Sequence, residues 1–235
     1  MKELSVVVPL YNERDDLMRL YFAITGALDP FIGEYEIILV NDGSTDGSET
    51  LLDRIAENDP RVRVIPFQRN YGQTAAISAG LKMAEGCFIA LMDGDLQTYP
   101  EDILKLLPYM QEFDFANGTR VERKDTLLKK ISSRIGNGVR NRVTGDRVQD
   151  TGCPMKVFKS DVAQSFNLYE GFHRFLPTLA RMNGFRVVEV PVGHRERTAG
   201  HSKYGVLNRA FVGLMDAIVI GWLRKRTINY RIRGN

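Results

Sequence analysis

The sequence is short of the residues that build covalent and metal scaffolds. Of its 235 residues only two are cysteine, Cys87 and Cys153, and neither sits in a CxxC pair. A disulfide framework and a structural zinc site are thereby excluded, and both thiols read as small buried apolar side chains. Long hydrophobic runs are also missing. The most apolar segment, VLNRAFVGLMDAIVIGWLRKR (206–226), is interrupted by Arg209 and Asp216, so its longest uncharged run is 217–223. That is far short of the roughly 20 residues a bilayer-spanning helix needs. The opening MKELSVVVPLYNERDD has too few apolar residues, wrongly flanked, for a signal peptide or anchor, and a cytoplasmic location is expected. Neither an internal repeat nor a low-complexity tract is present.

What is present suits a globular chain. Hydrophobic residues make up 43% and charged residues 26%, enough for one large domain or two small ones with a real core. The net charge of +3 conceals an asymmetry: residues 185–235 hold ten Lys or Arg against three acids, leaving 22 basic and 26 acidic residues elsewhere. A basic end on a slightly acidic body points to phosphate groups on a lipid surface, a nucleotide or a nucleic acid. Aromatic interleaving is thin in the basic tail from residue 222 onward, with Trp222 and Tyr230 only, and this argues against nucleic acid.

Apolar β-rich runs recur at LSVVVPL (4–10), YEIILVN (35–41), VRVIPF (62–67) and CFIALMD (87–93), separated by helix-length segments at 14–28, 46–58 and 72–85. The pattern predicts repeated βαβ units around a mainly parallel, buried sheet. After residue 114 the alternation weakens. A polar helix is expected at 124–143, a turn at 145–154, a helix at 171–185, a strand at 186–192 and a basic loop at 193–205. Ala75, Ala76, Ala79 and Gly80 read as a small-residue face packed on the sheet.

In open α/β sheets the ligand crevice lies beyond the carboxyl ends of the strands. Four polar clusters follow the four runs: Tyr11-Asn12-Glu13, Asn41-Asp42-Gly43, Asn70-Tyr71-Gly72 and Asp93-Gly94-Asp95. All are expected on one rim. An isolated DxD is often a solvated turn. Behind a central strand and beside Glu13 and Asp42, Asp93 and Asp95 instead suit Mg²⁺ or Mn²⁺ carried by a diphosphate, which takes one or two protein carboxylates. Gln97 offers a further hard oxygen, and Gly94 admits a close approach by a ligand.

Taken together, VVVPLYNE (6–13), VNDGSTDGS (40–48), RNYGQTAAISAGL (69–81), DGDLQTYPE (93–101), DTGC (150–153) and GHSKYG (200–205) resemble glycosyltransferase family 2. The resemblance is closest to its polyprenyl-phosphate glycosyltransferase branch, of which dolichyl-phosphate mannose synthase is the best-known type. It implies an α/β GT-A fold, a Rossmann-like mainly parallel central sheet flanked by helices, over residues 1–205. A C-terminal amphipathic, basic, membrane-surface helix is expected over 206–235. It also implies inverting transfer from a nucleotide-sugar, GDP-mannose or a UDP-hexose, to a polyprenyl phosphate.

By that resemblance Pro9, Tyr11, Asn12, Glu13, Asp42, Asn70, Gly72 and Gln73 line the nucleotide-sugar pocket. Asp93, Gly94, Asp95 and Gln97 surround the metal and diphosphate, and Arg120 and Arg134 hold the acceptor phosphate. Arg197, His201 and Lys203 are suited to clamp the donor diphosphate, with Gly200 and Gly205 allowing their loop to close. Asp150 is expected to orient the acceptor or a basic partner. A phosphate monoester is already anionic near neutral pH, its second pKa being about 6, so no general base is demanded.

Trp222 with Arg224, Lys225, Arg226, Arg231 and Arg233 suits a headgroup layer. The sequence ends at Asn235, where many relatives of the branch carry transmembrane helices, and this leaves room for a separate membrane protein partner. Two other readings stand: a family 2 enzyme acting on a glycan hydroxyl in cell-envelope polysaccharide synthesis, and a non-catalytic nucleotide-sugar or lipid binding module. Against the first is the lack of the QxxRW signature of processive polysaccharide synthases; against the second is the intact Asp93 and Asp95 pair.

Overall fold

The computed structural model describes residues 2–121, 138, 141–195 and 206–228, with backbone alone for 206–211. Seven strands are present among them: β1 (Leu4–Leu10), β2 (Tyr35–Asn41), β3 (Val62–Pro66), β4 (Phe88–Leu91), β5 (Phe115–Arg120), β6 (Lys156–Lys159) and β7 (Val187–Val192). They form one sheet in the order β3-β2-β1-β4-β6-β5-β7. Strand β1 pairs parallel with β2 and β4, β2 with β3, and β5 with β7, whereas β6 is antiparallel to both β4 and β5. The mainly parallel α/β sheet expected from the sequence is therefore present, with β6 running against the rest.

Around the sheet, among the described residues, lie α1 (Leu17–Leu28), α2 (Ser48–Asn58), α3 (Gln73–Met83), α4 (Asp102–Leu106), α5 (Ser160–Gln164), α6 (Leu176–Met182) and α7 (Val206–Arg224), and 141–144 are helical as well. The period-2 alternation of strand side chains assigns residues to two cores. Val6, Val8 and Leu10 pack with Leu17, Leu20 and Ile24 of α1 on one face; Val7, Ile38 and Val40 pack with Ala76, Ile77 and Leu81 of α3 on the other. Covered on both faces, the central strands can be continuous apolar runs. The small face of α3 does sit on the sheet: a Cβ added at Gly80 would lie 2.4 Å from Val7 Cγ1.

Three expectations change. The helix foreseen at 171–185 is split into a 3₁₀ turn, Phe172–Phe175, and α6, because Gly171 enters at φ +82° and Pro177 occupies the first turn of α6. Strands β5 and β6 were not anticipated: FANGTR contains Asn and Gly, and KVFK is four residues long. The polar helix at 124–143 and the basic loop at 193–205 fall largely outside the described residues.

Helix α7 packs Ala217 and Ile220 against Phe172, Phe175 and Leu179. Arg224 Nη1 of α7 donates to the Thr144 carbonyl at 3.0 Å. Its other side exposes Leu214, Met215, Ile218, Val219 and Trp222. Among the described residues no helix is long and apolar enough to cross a membrane.

The contact between α3 and β1 sets the seat of the helix whose first residues enter the site. Gly80→Ala is expected to destabilise the chain by about 1–3 kcal/mol, the usual cost of overpacking. Adding Val7→Ala, which removes the opposing methyl, should recover part of that loss in a urea-unfolding double-mutant cycle. Strict additivity would refute the contact.

Candidate active site

The polar clusters that follow β1, β2 and β4 are joined to one another by hydrogen bonds. Asn12, just past β1 and at φ +56°, donates its backbone N–H to Ser44 Oγ (3.0 Å), and its Oδ1 accepts from Thr45 N–H (2.8 Å). Asn41 Oδ1, at the end of β2, accepts from Ser44 N–H at 3.0 Å. These bonds lock the first loop onto the second.

Asp42 is only 3% exposed. Its carboxylate accepts from the N–H groups of Tyr71 (2.7 Å) and Gly72 (3.0 Å) and from Asn70 Nδ2 (2.9 Å), fixing the entry to α3. Burial raises its pKa, and the Tyr71 and Gly72 amides oppose that rise. Gly43 beside it has φ +66°, and a Cβ there would stand 2.2 Å from the Arg69 carbonyl carbon, so no other residue fits. From the start of α3, Gln73 Nε2 donates to Asp93 Oδ1 at 2.8 Å.

The DGD turn then leads away from β4. At Gly94 a Cβ would lie 2.3 Å from Leu10 Cδ2, so the buried apolar side chain beneath the turn also favours glycine there. Gln97 N–H donates to Asp95 Oδ1 (3.2 Å), and the Gln97 carbonyl accepts from Arg195 N–H (2.8 Å). The turn is thereby tied to the segment after β7. The Arg195 guanidinium lies 4.1 Å from the centre of the Tyr99 ring.

Burial, followed by repulsion from Asp95, pushes Asp93 up to about 6, while Lys156, Gln73 and Arg120 pull it down. A buried carboxylate raised by a neighbouring one is relieved by a cation placed beside it. Among the described residues there is no group of three or more His, Cys, Asp or Glu side chains that can hold a metal. The donor set on offer, Asp93 and Asp95 with Gln97 near, fits Mg²⁺ or Mn²⁺ whose remaining positions are filled by substrate phosphate and water.

Arg120, at the end of β5, meets Asp150 in a two-pronged ion pair, Nε to Oδ2 at 2.7 Å and Nη2 to Oδ1 at 2.8 Å. Asp150 is itself held, its carbonyl by Asn117 Nδ2 (2.9 Å) and its N–H by Glu189 Oε1 (3.3 Å). Arg120 is thus not the freely solvated side chain its sequence context allows. Two of its nitrogens are committed, and among the described residues no hydrogen bond uses Nη1.

A cleft of about 1190 Å³ opens beside Gln73 and Asp93 and runs past Cys153 and Lys156 to His173 and Asp216. Lys156 and His173 escaped the sequence reading. Lys156 lies in a short buried run, and His173 is a single histidine in what looked like an unbroken helix. The Thr74 hydroxyl accepts from Gly171 N–H (3.1 Å) and lies 2.6 Å from His173 Nδ1. Burial, with Arg174 and Lys156 adding positive charge, lowers His173 to about 4, so the ring is neutral at physiological pH.

The structure therefore links Asp42, Asn70, Gly72, Gln73 and Asp93 in one hydrogen-bonded run, with Asp95 and Gln97 adjoining it. Pro9, Tyr11 and Glu13 stand at or just past the end of β1, with Tyr11 39% exposed. Arg120 and Asp150 form a separate pair at the end of β5. Arg134, Arg197, His201 and Lys203 lie outside the described residues.

Residues 5–166 match the family model described as glycosyl transferase family 2. An undecaprenyl-phosphate 4-deoxy-4-formamido-L-arabinose transferase of Edwardsiella ictaluri (strain 93-146) is 37% identical over 217 residues, covering 92% of this chain and 66% of that protein. A dodecaprenyl-phosphate galacturonate synthase of Rhizobium johnstonii is 37% identical over 226 residues, covering 93% and 66% respectively. The chain thus spans just under two thirds of the length of these curated relatives. Among solved structures, glucosyl-3-phosphoglycerate synthase of Mycobacterium tuberculosis, in complex with Mn²⁺, uridine diphosphate and phosphoglyceric acid, superposes with a TM-score of 0.68 at 17% identity. The match covers 97% of this chain and 80% of that one, and at this identity it speaks for the fold alone.

Because the pKa of Asp93 is raised on folding from 3.8 to about 6, its ionised form costs stability once pH exceeds that range. Asp93→Asn is expected to raise Tm by a few degrees at pH 7.5 in chelator, a gap that narrows as pH falls from 6 towards 4. Calorimetry with added Mn²⁺ should stabilise the native chain and leave the variant unmoved. An equal response in both would remove Asp93 from the metal site.

Proposed function

The chain belongs to glycosyl transferase family 2, and we propose that it moves a sugar from a nucleotide-sugar to a polyprenyl phosphate with inversion at the anomeric carbon. One observation carries this reading: a single cleft is lined by both the carboxylate Asp93 and the cation Lys156, and the charge of Arg120 also reaches Asp93. Such a site suits two anionic substrates, one bringing a metal and one bringing a phosphate. The named activities of the 37%-identical relatives, both transferring to polyprenyl phosphates, support it. The donor we propose is GDP-mannose or a UDP-hexose.

The nucleotide end of the donor lies along Pro9, Tyr11, Asn12, Glu13 and Asp42, on the rim that Asp42 holds together. Asp93, Asp95 and Gln97 would hold Mg²⁺ or Mn²⁺, and the Mn²⁺ complex of the M. tuberculosis synthase supports this choice. The ion's contribution when bound is to offset charge on the departing diphosphate. Gln73, through its bond to Asp93, fixes the direction in which that carboxylate points.

The acceptor phosphate arrives already anionic, so the chain supplies position and counter-charge in place of a base. Its oxygen attacks the anomeric carbon as the bond from that carbon to the diphosphate oxygen breaks, and the nucleoside diphosphate leaves. Asp150, with both oxygens on Arg120, aims the guanidinium at the incoming phosphate and removes no proton. Arg134 is proposed as a second cation on the acceptor, and Arg197 and Lys203 as cations on the donor diphosphate.

The acceptor's polyprenyl tail remains in the bilayer, so the site must meet it at the surface. We place the protein peripherally on the inner face, through the exposed Ile218, Val219 and Trp222 of α7 and the adjoining Arg224, Lys225 and Arg226. Each basic residue near anionic lipid contributes about 1 kcal/mol. Residues 1–205 act as the catalytic unit and 206–235 as its membrane-facing segment, where a separate membrane protein has room to join.

Incubating the protein with Mn²⁺, undecaprenyl phosphate and a panel of GDP- and UDP-sugars is expected to give a lipid-linked sugar detectable by mass. Chelator and Asp95→Asn should each lower the rate at least 100-fold. Transfer to soluble glycans alone, or an Asp95→Asn enzyme at full speed, would refute the proposal.

A further inference from the structure

Lys156 is 3% exposed, an unusual place for an ammonium group. It opens β6, the strand that runs against its neighbours, and pairs in register with Leu91 of β4 and Asn117 of β5. An antiparallel strand starts where parallel ones end. The reversed direction therefore puts Lys156 at the carboxyl rim of the sheet, where Leu91 is followed two residues later by Asp93.

Its Nζ donates to the Cys153 carbonyl. An ammonium carries three donors, and no hydrogen bond or ion pair among the described residues uses the other two. The nearby acids are committed elsewhere: Asp93 accepts from Gln73 and faces Asp95, and Asp150 spends both oxygens on Arg120. Burial lowers the pKa of Lys156, and Arg120 adds to that, against the pull of Cys153, Asp93 and Asp150. A buried cation with donors to spare and no dedicated carboxylate is a poor device for stability.

It is a good device for holding an anion. Lys156 lines the cleft in the field of Asp93 and of the Arg120 and Asp150 pair, and its own charge reaches His173, which lines the same cleft. We propose that Lys156 is the buried cation that receives a substrate phosphate oxygen at the point where donor and acceptor meet. This rests on the transfer reading given above, and the phosphate oxygen belongs either to the donor diphosphate or to the acceptor monoester.

The test replaces the charge at nearly constant shape. Lys156→Met is expected to keep or raise Tm, since it removes a buried unpaired charge, while kcat/KM for transfer falls at least 100-fold. Lys156→Arg, which keeps the charge, should restore part of the rate. Calorimetric Kd values for UDP or GDP with Mn²⁺ and the KM for undecaprenyl phosphate identify the source: a weaker Kd assigns the oxygen to the donor, a raised KM to the acceptor.

Titrating inorganic pyrophosphate with Mn²⁺, and inorganic phosphate, into the native chain and Lys156→Met tests the site without any transfer. If the native chain moves no sugar yet binds either anion at least tenfold tighter than the variant, the transfer reading fails and the lysine assignment stands. If Lys156→Met transfers sugar and binds both anions within threefold of the native chain, the assignment is overturned. It is also overturned if both variants lose Tm and activity together.

Discussion

The site depends on the carboxylate of Asp42. Buried at the end of β2, it accepts from two backbone N–H groups and one amide side chain at the entry to α3, and so sets where that helix begins. Gln73, the first residue of α3, then reaches Asp93. One buried carboxylate thereby determines the position of another. A buried acceptor that lost its donors would keep its full desolvation cost, so this junction has one stable arrangement.

Charge in the cleft is distributed to be completed by ligands. Asp93 and Asp95 repel one another, Lys156 keeps two donors unspent, and Arg120 is held by Asp150 with one nitrogen over. None of these is the cheapest arrangement for an empty protein. Each becomes favourable when a cation sits at the carboxylates and phosphate oxygens sit at the cations. His173, kept neutral by burial and by the positive charges near it, lines the far end without adding to that charge.

The proposed membrane contact rests on the packing of α7. Ala217 and Ile220 anchor the helix to the aromatic residues after Gly171, and this orientation turns Ile218, Val219 and Trp222 outward. The basic residues that follow extend the same surface. The cleft and this apolar face thus share a helix, since Val212 and Asp216 of α7 line the one while their neighbours form the other.

Strands β1 and β2, the helices after them, and the carboxyl rim carrying Asp42, Asp93 and Asp95 were legible in the sequence. Their signals are local: apolar runs buried on both faces, and polar clusters that can only follow such runs. The small face of α3 was legible for the same reason. Strands β5 and β6 were not, because four to six residues containing Asn, Gly and Lys carry no periodicity of their own. With them went the reversed direction of β6, which alone brings Lys156 to the rim, and the break at Gly171 that turns His173 towards Thr74. The Leu10 side chain beneath Gly94 was not legible either, because it comes from a distant segment of the chain. By itself the sequence determined which residue types gather at the strand ends, since period and composition act over neighbouring residues. Only the tertiary structure decided which of them share charges across the cleft, because those pairs join segments far apart along the chain and exist only once the sheet has ordered its strands.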